Sequence, residues 1–488
     1  DLVRSRGLGD VYKRQVFVVM KCRLFLTLAH LTSSLGEVRV SQRPGSGETA
    51  RMMTAAPSYS DEDWKAVLAH LPAETERLAH EHKVINVQWP NAKVHDAATL
   101  LRFILLHVGA DIPLRQTVTL IAEAGGPSLA PVWLHKRMRR AQPYLAALVE
   151  LMIADVVEDA TPESWAGYEM VSLDATTVSG PGAEGSDVRL HCVLRLHDLR
   201  VRDVCVTSAS EGETFKNFVW ESDTLVIADR GYANAPGIFW AVDHGAAVLV
   251  RVNRGALPLV APSGEAIDVL NWCRGLKDNV PHHRRAVVSH TTGRGKAREE
   301  RKLEGRLIGL HLPAEQALAA RERTRREEGP AVTAEKLEAA EYVVLFTTTP
   351  ASRLSTERCI DAYRLRWQVE LQFKRWKSLC HFDKLPNYRD DTLLAWVTAK
   401  LLLGLLLDRV AAARDGDATS RPGARQAWKI TSPIWPLLLA ALLPVGLANA
   451  IALVPAMSRR LDSPDDVVGV TRQVDVFRWQ QAELDGCG

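Results

Sequence analysis

Between Thr356 and Leu379 the chain reads TERCIDAYRLRWQVELQFKRWKSL, a stretch without glycine or proline whose charges recur at helical spacing. Ser355 or Thr356 can cap its start, and Glu357 follows near the positive end of the helix dipole. With Tyr363 set at zero and about 100° per residue, Arg366 falls near about −60°, Glu370 near about −20° and Lys377 near about −40°. Leu365, Val369, Phe373, Trp376 and Leu379 take the opposite face and give the helix something to bury. A fold that contains this helix must cover one side of it and leave a carboxylate standing between two cations and a phenol on the other. An ordinary surface helix fits the same pattern, with an Arg366–Glu370 pair worth about 0.2–0.5 kcal/mol.

What the helix packs on is read further upstream. From Tyr168 the period changes to that of strands: YEMVSLDATTV, DVRLHCVLRLHD and VRDVCVTSAS are rich in Val, Leu and Thr and are separated by short turns. Alternation puts Val171 and Leu173 on one face of the first strand and Ser172 and Asp174 on the other. A carboxylate in the body of a strand is costly to bury without a cation, whether an arginine or a metal. Leu225 to Ala228 is a short continuous apolar run, as a parallel strand covered on both faces should be. Asp229 follows at its carboxyl end, where open α/β sheets place ligands. A helix from about Ala235 to His244 leads to a fifth strand, Ala247 to Val252. Three antiparallel strands followed by a β-α-β unit is the order of the ribonuclease H-like fold.

Taken together, these motifs resemble one branch of the DDE transposases, the family-four insertion sequences. Tyr363, Arg366, Glu370 and Lys377 match the Tyr-x2-Arg-x3-Glu-x6-Lys signature of that branch, and Asp229-Arg230-Gly231-Tyr232 is similar to its second acidic motif. The resemblance implies that Asp174, Asp229 and Glu370 are the catalytic, metal-holding triad. It also implies that Tyr363, Arg366 and Lys377 grip the phosphate near a transposon end. Three acids suit two Mg2+ ions about 4 Å apart, one activating the nucleophile and one steadying the leaving oxygen, with Mn2+ as a substitute. The implied partners are double-stranded transposon ends and target DNA, with a homodimer in the synaptic complex. Trp367 is a candidate for stacking on a displaced base. A non-cutting DNA-binding derivative and a ribonuclease H-like nuclease without strand transfer are the alternatives.

The spacing between Asp229 and Glu370 is far more than a compact core needs, so residues 255–341 read as a β-rich insertion, a feature the resemblance also implies. Strands are expected at Arg285 to Ser289 and Gly305 to Leu310, with a charged helix from Pro313 to Glu328. Tyr342 to Thr347 is the strand that returns to the core or closes the insertion. The fold class expected is therefore α/β: a ribonuclease H-like mixed sheet in two parts, 165–254 and 342–414, split by the insertion. A helical DNA-binding domain, 53–160, precedes it and a helical region, 415–488, follows. In the first of these, Leu114 to Ala124, a Gly125-Gly126-Pro127 break and a helix from Val132 have helix-turn-helix proportions. Lys136, Arg137, Arg139 and Arg140 on the second helix are candidate phosphate contacts, against the alternative of a solvated basic face on a bundle.

Net charge is only +3 over 488 residues, so any nucleic-acid surface must come from local clustering of basic groups. Seven scattered cysteines without a CxxC pair argue for a reducing cytoplasm and against a zinc site or disulfide framework, and the resemblance implies a bacterial, nucleoid-associated protein. Thr392 to Leu407 is too short for a membrane span and carries Lys400, and Pro433 to Met457 is long enough but broken by Pro436, Pro444 and Pro455; both are read as buried helices with no membrane partner, a membrane span being the lesser alternative. The opening DLVRSRGLGDVYKRQ resembles translated linker sequence, and the natural start is expected near Met52 or Met53.

Overall fold

The computed structural model describes residues 59–85, 92–123, 126–154, 165–180, 188–292, 299–383, 385–386 and 390–414, with short helical pieces at 434–435, 438–439 and 441–442. The expected start near Met52 and nearly all of the expected helix Pro433 to Met457 lie outside these residues. The chain divides into two compact units, one of residues 1–149, 389–416 and 427–488, the other of residues 150–388 and 417–426.

Helices dominate the first unit: α1 (Tyr59–Leu68), α2 (Thr75–Glu81), α3 (Ala97–Ala110), α4 (Leu114–Glu123), α5 (Pro131–Arg140), the start of α6 (Gln142–Ala154), and α13 (Asp390–Arg414). Asp96 caps α3 by accepting from the Thr99 N–H at 2.7 Å, and α3 ends in a left-handed Asp111. Because α3 is apolar on nearly every side, it has to be a central helix, and Leu100, Leu101, Ile104 and Leu105 are fully buried. Packing of α13 against α3 and α5 places it with these helices, whereas the expected second part of the sheet core ran to residue 414. Among the described residues no helix is long and apolar enough to cross a membrane.

The second unit is built on one nine-stranded mixed sheet of order β3-β2-β1-β4-β5-β9-β8-β7-β6. Its first half is β1 (Glu169–Val178), β2 (Val188–Arg195), β3 (Val201–Ser208), β4 (Thr224–Ala228) and β5 (Ala247–Arg251). The hairpins β1-β2 and β2-β3 are antiparallel, while β1, β4 and β5 run parallel with α7 (Ala235–Asp243) as the crossover. This is the ribonuclease H-like order. Every residue of β4 is buried, which is why it reads as an unbroken apolar run.

The insertion does not fold apart from this sheet. Its strands β6 (Leu259–Val260), β7 (His282–Thr292) and β8 (Glu299–His311) extend the same sheet through β9 (Tyr342–Thr347), which pairs with β5 on one side and β8 on the other. Gly305 is required on β8, because a Cβ there would lie 2.5 Å from Phe346 Cζ and 2.6 Å from the Thr347 carbonyl oxygen. Helices α8 (Val269–Arg274), α9 (Ala314–Glu328) and α10 (Ala334–Ala340) complete the insertion.

Strand alternation sorts the core into two layers. Val171, Leu173, Val226, Val248 and Val250 pack with Phe215, Ile238 and Phe239 on the α7 side. Met170, Leu225, Ile227 and Leu249 pack with Cys359, Ile360 and Ala362 on the other. The latter three residues belong to α11 (Thr356–Leu365), which Ser355 caps and which is followed at once by α12 (Trp367–Cys380). The single helix expected over Thr356–Leu379 is thus interrupted at Arg366. Ser172 Oγ donates to the Arg366 carbonyl at 3.0 Å, and the Arg366 N–H bonds the Tyr363 carbonyl three residues back. A side chain entering the helical ladder is a known cause of such breaks. Arg366 keeps right-handed helical angles (φ −50°, ψ −34°), so the stripe of side chains carries on across the break.

Candidate active site

The pairing of parallel strands sets the first two acids. Leu173 is opposite Ala228, so Asp174, in the body of β1, is the neighbour of Asp229, which follows the carboxyl end of β4, one strand spacing of about 4.8 Å away along the hydrogen-bonding direction. Asp174 shares its face with Met170 and Ser172, the side covered by α11 and α12. Burial of Val369, Phe373, Trp376 and Leu379 seats α12 by its apolar face, which turns Glu370 toward the strand ends. Each of those side chains contributes about 1.5–3 kcal/mol of burial, so the position of Glu370 rests on packing rather than on the charges.

Tyr363 and Arg366 connect the three acids. Tyr363 Oη donates to Asp229 Oδ1 at 3.0 Å. Arg366 donates from Nη1 to Asp174 Oδ2 at 3.3 Å and from Nη2 to Glu370 Oε1 at 2.5 Å, with the arginine side chain only 13% exposed. Lys377 is half-buried on the same stripe, and among the described residues no ion pair joins it to the acids. Trp367 is 47% exposed with Lys374 Nζ 4.9 Å from its ring, so it is not a core tryptophan.

The two strand acids are electrostatically unlike. Burial pushes the Asp174 carboxyl up to about 7, more than the Ala175 N–H and Arg366 hold it down, and Glu370 and Glu213 add to the rise. Burial also pushes Asp229 up, but Arg366, the Arg230 N–H, Arg251 and the Tyr363 hydroxyl together outweigh it and hold Asp229 below the usual range. Burial drives the Tyr363 phenol up, and the Asp229 charge adds to it, so Tyr363 is a proton donor here at any working pH.

Three participants were not legible in the sequence. Glu213 lies over Gly231, where a Cβ would sit 1.5 Å from Glu213 Oε2, and burial followed by the Asp229 charge raises its carboxyl. It sits in an irregular loop without periodic signal; the small residue at Gly231 is the only hint. Ser172, fully buried, fixes the α11–α12 break. Arg251, at the end of β5, stands beside Asp229 because Val250 is opposite Ala228. Tyr232 of the Asp-Arg-Gly-Tyr tetrapeptide is instead buried, bonded to His191 Nδ1 at 2.9 Å, with His191 Nε2 3.1 Å from Thr207 Oγ1. These two groups hold the strand end in place, and burial followed by the Glu213 and Asp174 charges drives the Tyr232 phenol up.

In the first unit, the face of α5 exposes Lys136, Arg139 and Arg140, none of them in an ion pair among the described residues. Arg137 is occupied differently, donating to the Val84 carbonyl at 3.0 Å and lying 5.5 Å from the Trp133 ring centroid.

A ribonuclease H-like sheet whose carboxyl edge gathers acids under one helix defines the class of DDE-domain enzymes that act on nucleic acid. The family described as Transposase DDE domain matches residues 165–405. The chain is 33% identical over 358 residues to the transposase for insertion sequence element IS421 of Escherichia coli, covering 72% of this chain and 95% of that protein. It is 32% identical over 357 residues, with the same coverage, to the InsL protein of insertion sequence element IS186A of Escherichia coli (strain K12). A shorter match, 28% over 107 residues, covers 21% of this chain and 22% of the transposase for insertion sequence element IS231E of Bacillus thuringiensis subsp. finitimus. The protein belongs to the DDE transposases of insertion sequences, enzymes with DNA as substrate and a general dependence on divalent cations.

The donor set suits such a cation: Asp174, Asp229 and Glu370 offer only hard carboxylate oxygens, and the high Asp174 carboxyl marks a buried charge short of positive partners. As the side chains stand, no three ligand groups among the described residues are close enough to hold one ion. The Arg366 guanidinium lies between two of the acids instead.

Proposed function

We propose that the protein is a cut-and-paste transposase that binds the terminal inverted repeats of its own insertion sequence, cleaves there, and joins the freed 3′-hydroxyl to target DNA. The observation that carries this reading is the strand register that sets Asp174 beside Asp229 beneath the helix of Glu370, with Arg366 bonded to both Asp174 and Glu370. Asp174, Asp229 and Glu370 would hold two divalent ions, Mg2+ in the cell with Mn2+ able to replace it; when bound, these supply the polarisation of the attacking and leaving oxygens.

The chain's own residues do the rest. Arg366 neutralises the acids in the free enzyme and turns its fork to the incoming phosphate, so the strand meets a cation rather than three bare carboxylates. Tyr363, a phenol that keeps its proton, orients Asp229 and then the phosphate. Lys377, about two turns beyond Glu370 on the same stripe, holds the strand as a point charge. Lys136, Arg139 and Arg140 supply sequence-independent attraction for the duplex, and two copies of the chain bring two ends together.

The test is an assay with Mg2+ and the inverted repeats that flank the reading frame. Cleaved ends followed by joined product are expected. Cleavage without joining would make the protein a nuclease, and end binding without cleavage a DNA-binding derivative.

A further inference from the structure

One arginine is held to β1 at both of its ends. Ser172 and Asp174 lie on the same face of the strand, about 6.8 Å apart along it. Ser172 Oγ donates to the Arg366 carbonyl at 3.0 Å, and Arg366 Nη1 donates to Asp174 Oδ2 at 3.3 Å. Ser172 is fully buried, shut off from bulk water, and a buried hydroxyl is costly to leave without its acceptor.

The helix tightens at that point. The Arg366 N–H reaches the Tyr363 carbonyl at 3.1 Å, and the Arg366 carbonyl takes the Val369 N–H at 3.3 Å, three residues away in each case instead of four. A turn of this kind winds at about 3.0 residues rather than about 3.6, roughly 20° more for each residue. Side chains reach about 5–6 Å from a helix axis, so straightening even one such residue would swing the Glu370 carboxylate by about 2 Å relative to β1. A misplacement of about 1 Å can already cost about 100-fold in rate.

The other bonds of Arg366 do not fix this geometry. Its bond to Glu370 spans four residues of the helix and would survive on a straight one. Its bond to Asp174 is made by a side chain, and the guanidinium gives it up when it turns to a phosphate. The Ser172 bond is made to the main chain and stays.

We propose that Ser172 is a positioning residue for Glu370: its hydroxyl pins the Arg366 carbonyl to β1, fixes where α12 begins, and so sets the helix acid against the strand acid. What Glu370 does once placed rests on the transposase reading; the pin itself rests on the geometry of β1 and the helix break.

The experiment uses the full chain and has two readouts, the single-turnover rate of cleavage at a saturating transposon end and Mn2+ affinity by calorimetry without DNA. Ser172→Ala should slow cleavage about 10- to 100-fold, with end affinity in EDTA changed less than about twofold. Ser172→Thr and Ser172→Val differ from each other in the hydroxyl, so Thr should recover most of the rate and Val should not, which keeps the test open if a change of size at this site loosens the fold. Ser172→Ala should also weaken Mn2+ binding about fivefold, and the same change made in Glu370→Gln should weaken it no further, because the carboxylate it places is already gone. Equal rates for the Thr and Val variants would overturn the proposal. So would an Mn2+ affinity that falls as much in the Glu370→Gln background as in the wild type, which would make Ser172 a general packing residue. Absence of cleavage by the wild-type chain would remove the transposase reading, while the Mn2+ comparison still decides the placing of Glu370.

Discussion

Arg366 Nη1 lies 3.3 Å from Asp174 Oδ2, tying α12 to a strand residue 192 positions earlier, while Nη2 of the same guanidinium holds Glu370. Removing one partner of a buried ion pair costs more than the pair itself is worth, because the charge left behind stays desolvated. Arg366→Ala should therefore lower the unfolding free energy of the metal-free protein by roughly 2–4 kcal/mol, measured by urea denaturation in EDTA. Millimolar Mg2+ should recover part of that loss. An unchanged midpoint would mean that the acids do not need this arginine.

Glu370→Gln and Asp174→Asn keep shape and remove charge. Each should reduce cleavage of a transposon end by at least about 1,000-fold, with end binding in Ca2+ altered less than about threefold. Retained cutting by Glu370→Gln would take that residue out of the chemistry.

The carboxyl of Asp174, raised to about 7, links ion binding to protons. Below that value the group carries a proton that an incoming cation must displace. Apparent Mn2+ affinity, read by calorimetry, should rise by up to about tenfold per pH unit from pH 5 to 7 and level off above. Asp174→Asn should flatten the profile as well as weaken binding; a pH-independent wild-type affinity would contradict the link.

His191 and His107 behave in the opposite sense. Burial is the largest cause in both and pushes each down to about 4, below the ordinary histidine value of 6.5. The unfolded chain then binds more protons than the native one between pH 6.5 and 4, so stability is complete above about 6.5 and falls as the pH drops. His191→Gln should shallow the acid limb of a plot of unfolding free energy against pH. A limb as steep as that of the wild type would assign the acid sensitivity elsewhere.

On α5, Lys136→Gln, Arg139→Gln and Arg140→Gln should each lower the salt slope of DNA binding by up to about 0.9 with little change in melting temperature. Arg137→Ala should do the reverse, losing about 1 kcal/mol of stability through its bond to the Val84 carbonyl. Equal behaviour of the four would leave α5 as a plain solvated face.

Gly231 is packed against a carboxylate. Gly231→Ala puts a methyl where Glu213 Oε2 lies, and since the atom displaced is the end of a flexible side chain, the stability loss should stay under about 1–2 kcal/mol. If Glu213 supports the acids, Gly231→Ala and Glu213→Ala should each reduce cleavage and together do no more than either alone.

Much of this protein is written in local periodicity. The alternation that sets Asp174 on the face opposite Val171 and Leu173, the apolar run that ends at Asp229 and the stripe from Tyr363 to Lys377 depend only on local geometry, which makes these residues candidates; the roles given to them are what the family resemblance implies. What periodicity cannot carry is partnership across long separations. The register of β1 against β4 and β5, which aligns Asp174, Asp229 and Arg251, is fixed by which side chains fill the two layers around the sheet. The break at Arg366 needs a hydroxyl from Ser172, and the place of Glu213 over Gly231 depends on a loop with no period at all. The insertion is read from the long spacing between Asp229 and Glu370, which says nothing of what its strands pair with; hydrogen bonds from β9 to both β5 and β8 make it one sheet with the core. Backbone donors on an open strand edge must be paired, and which edge satisfies them is decided only when distant segments meet.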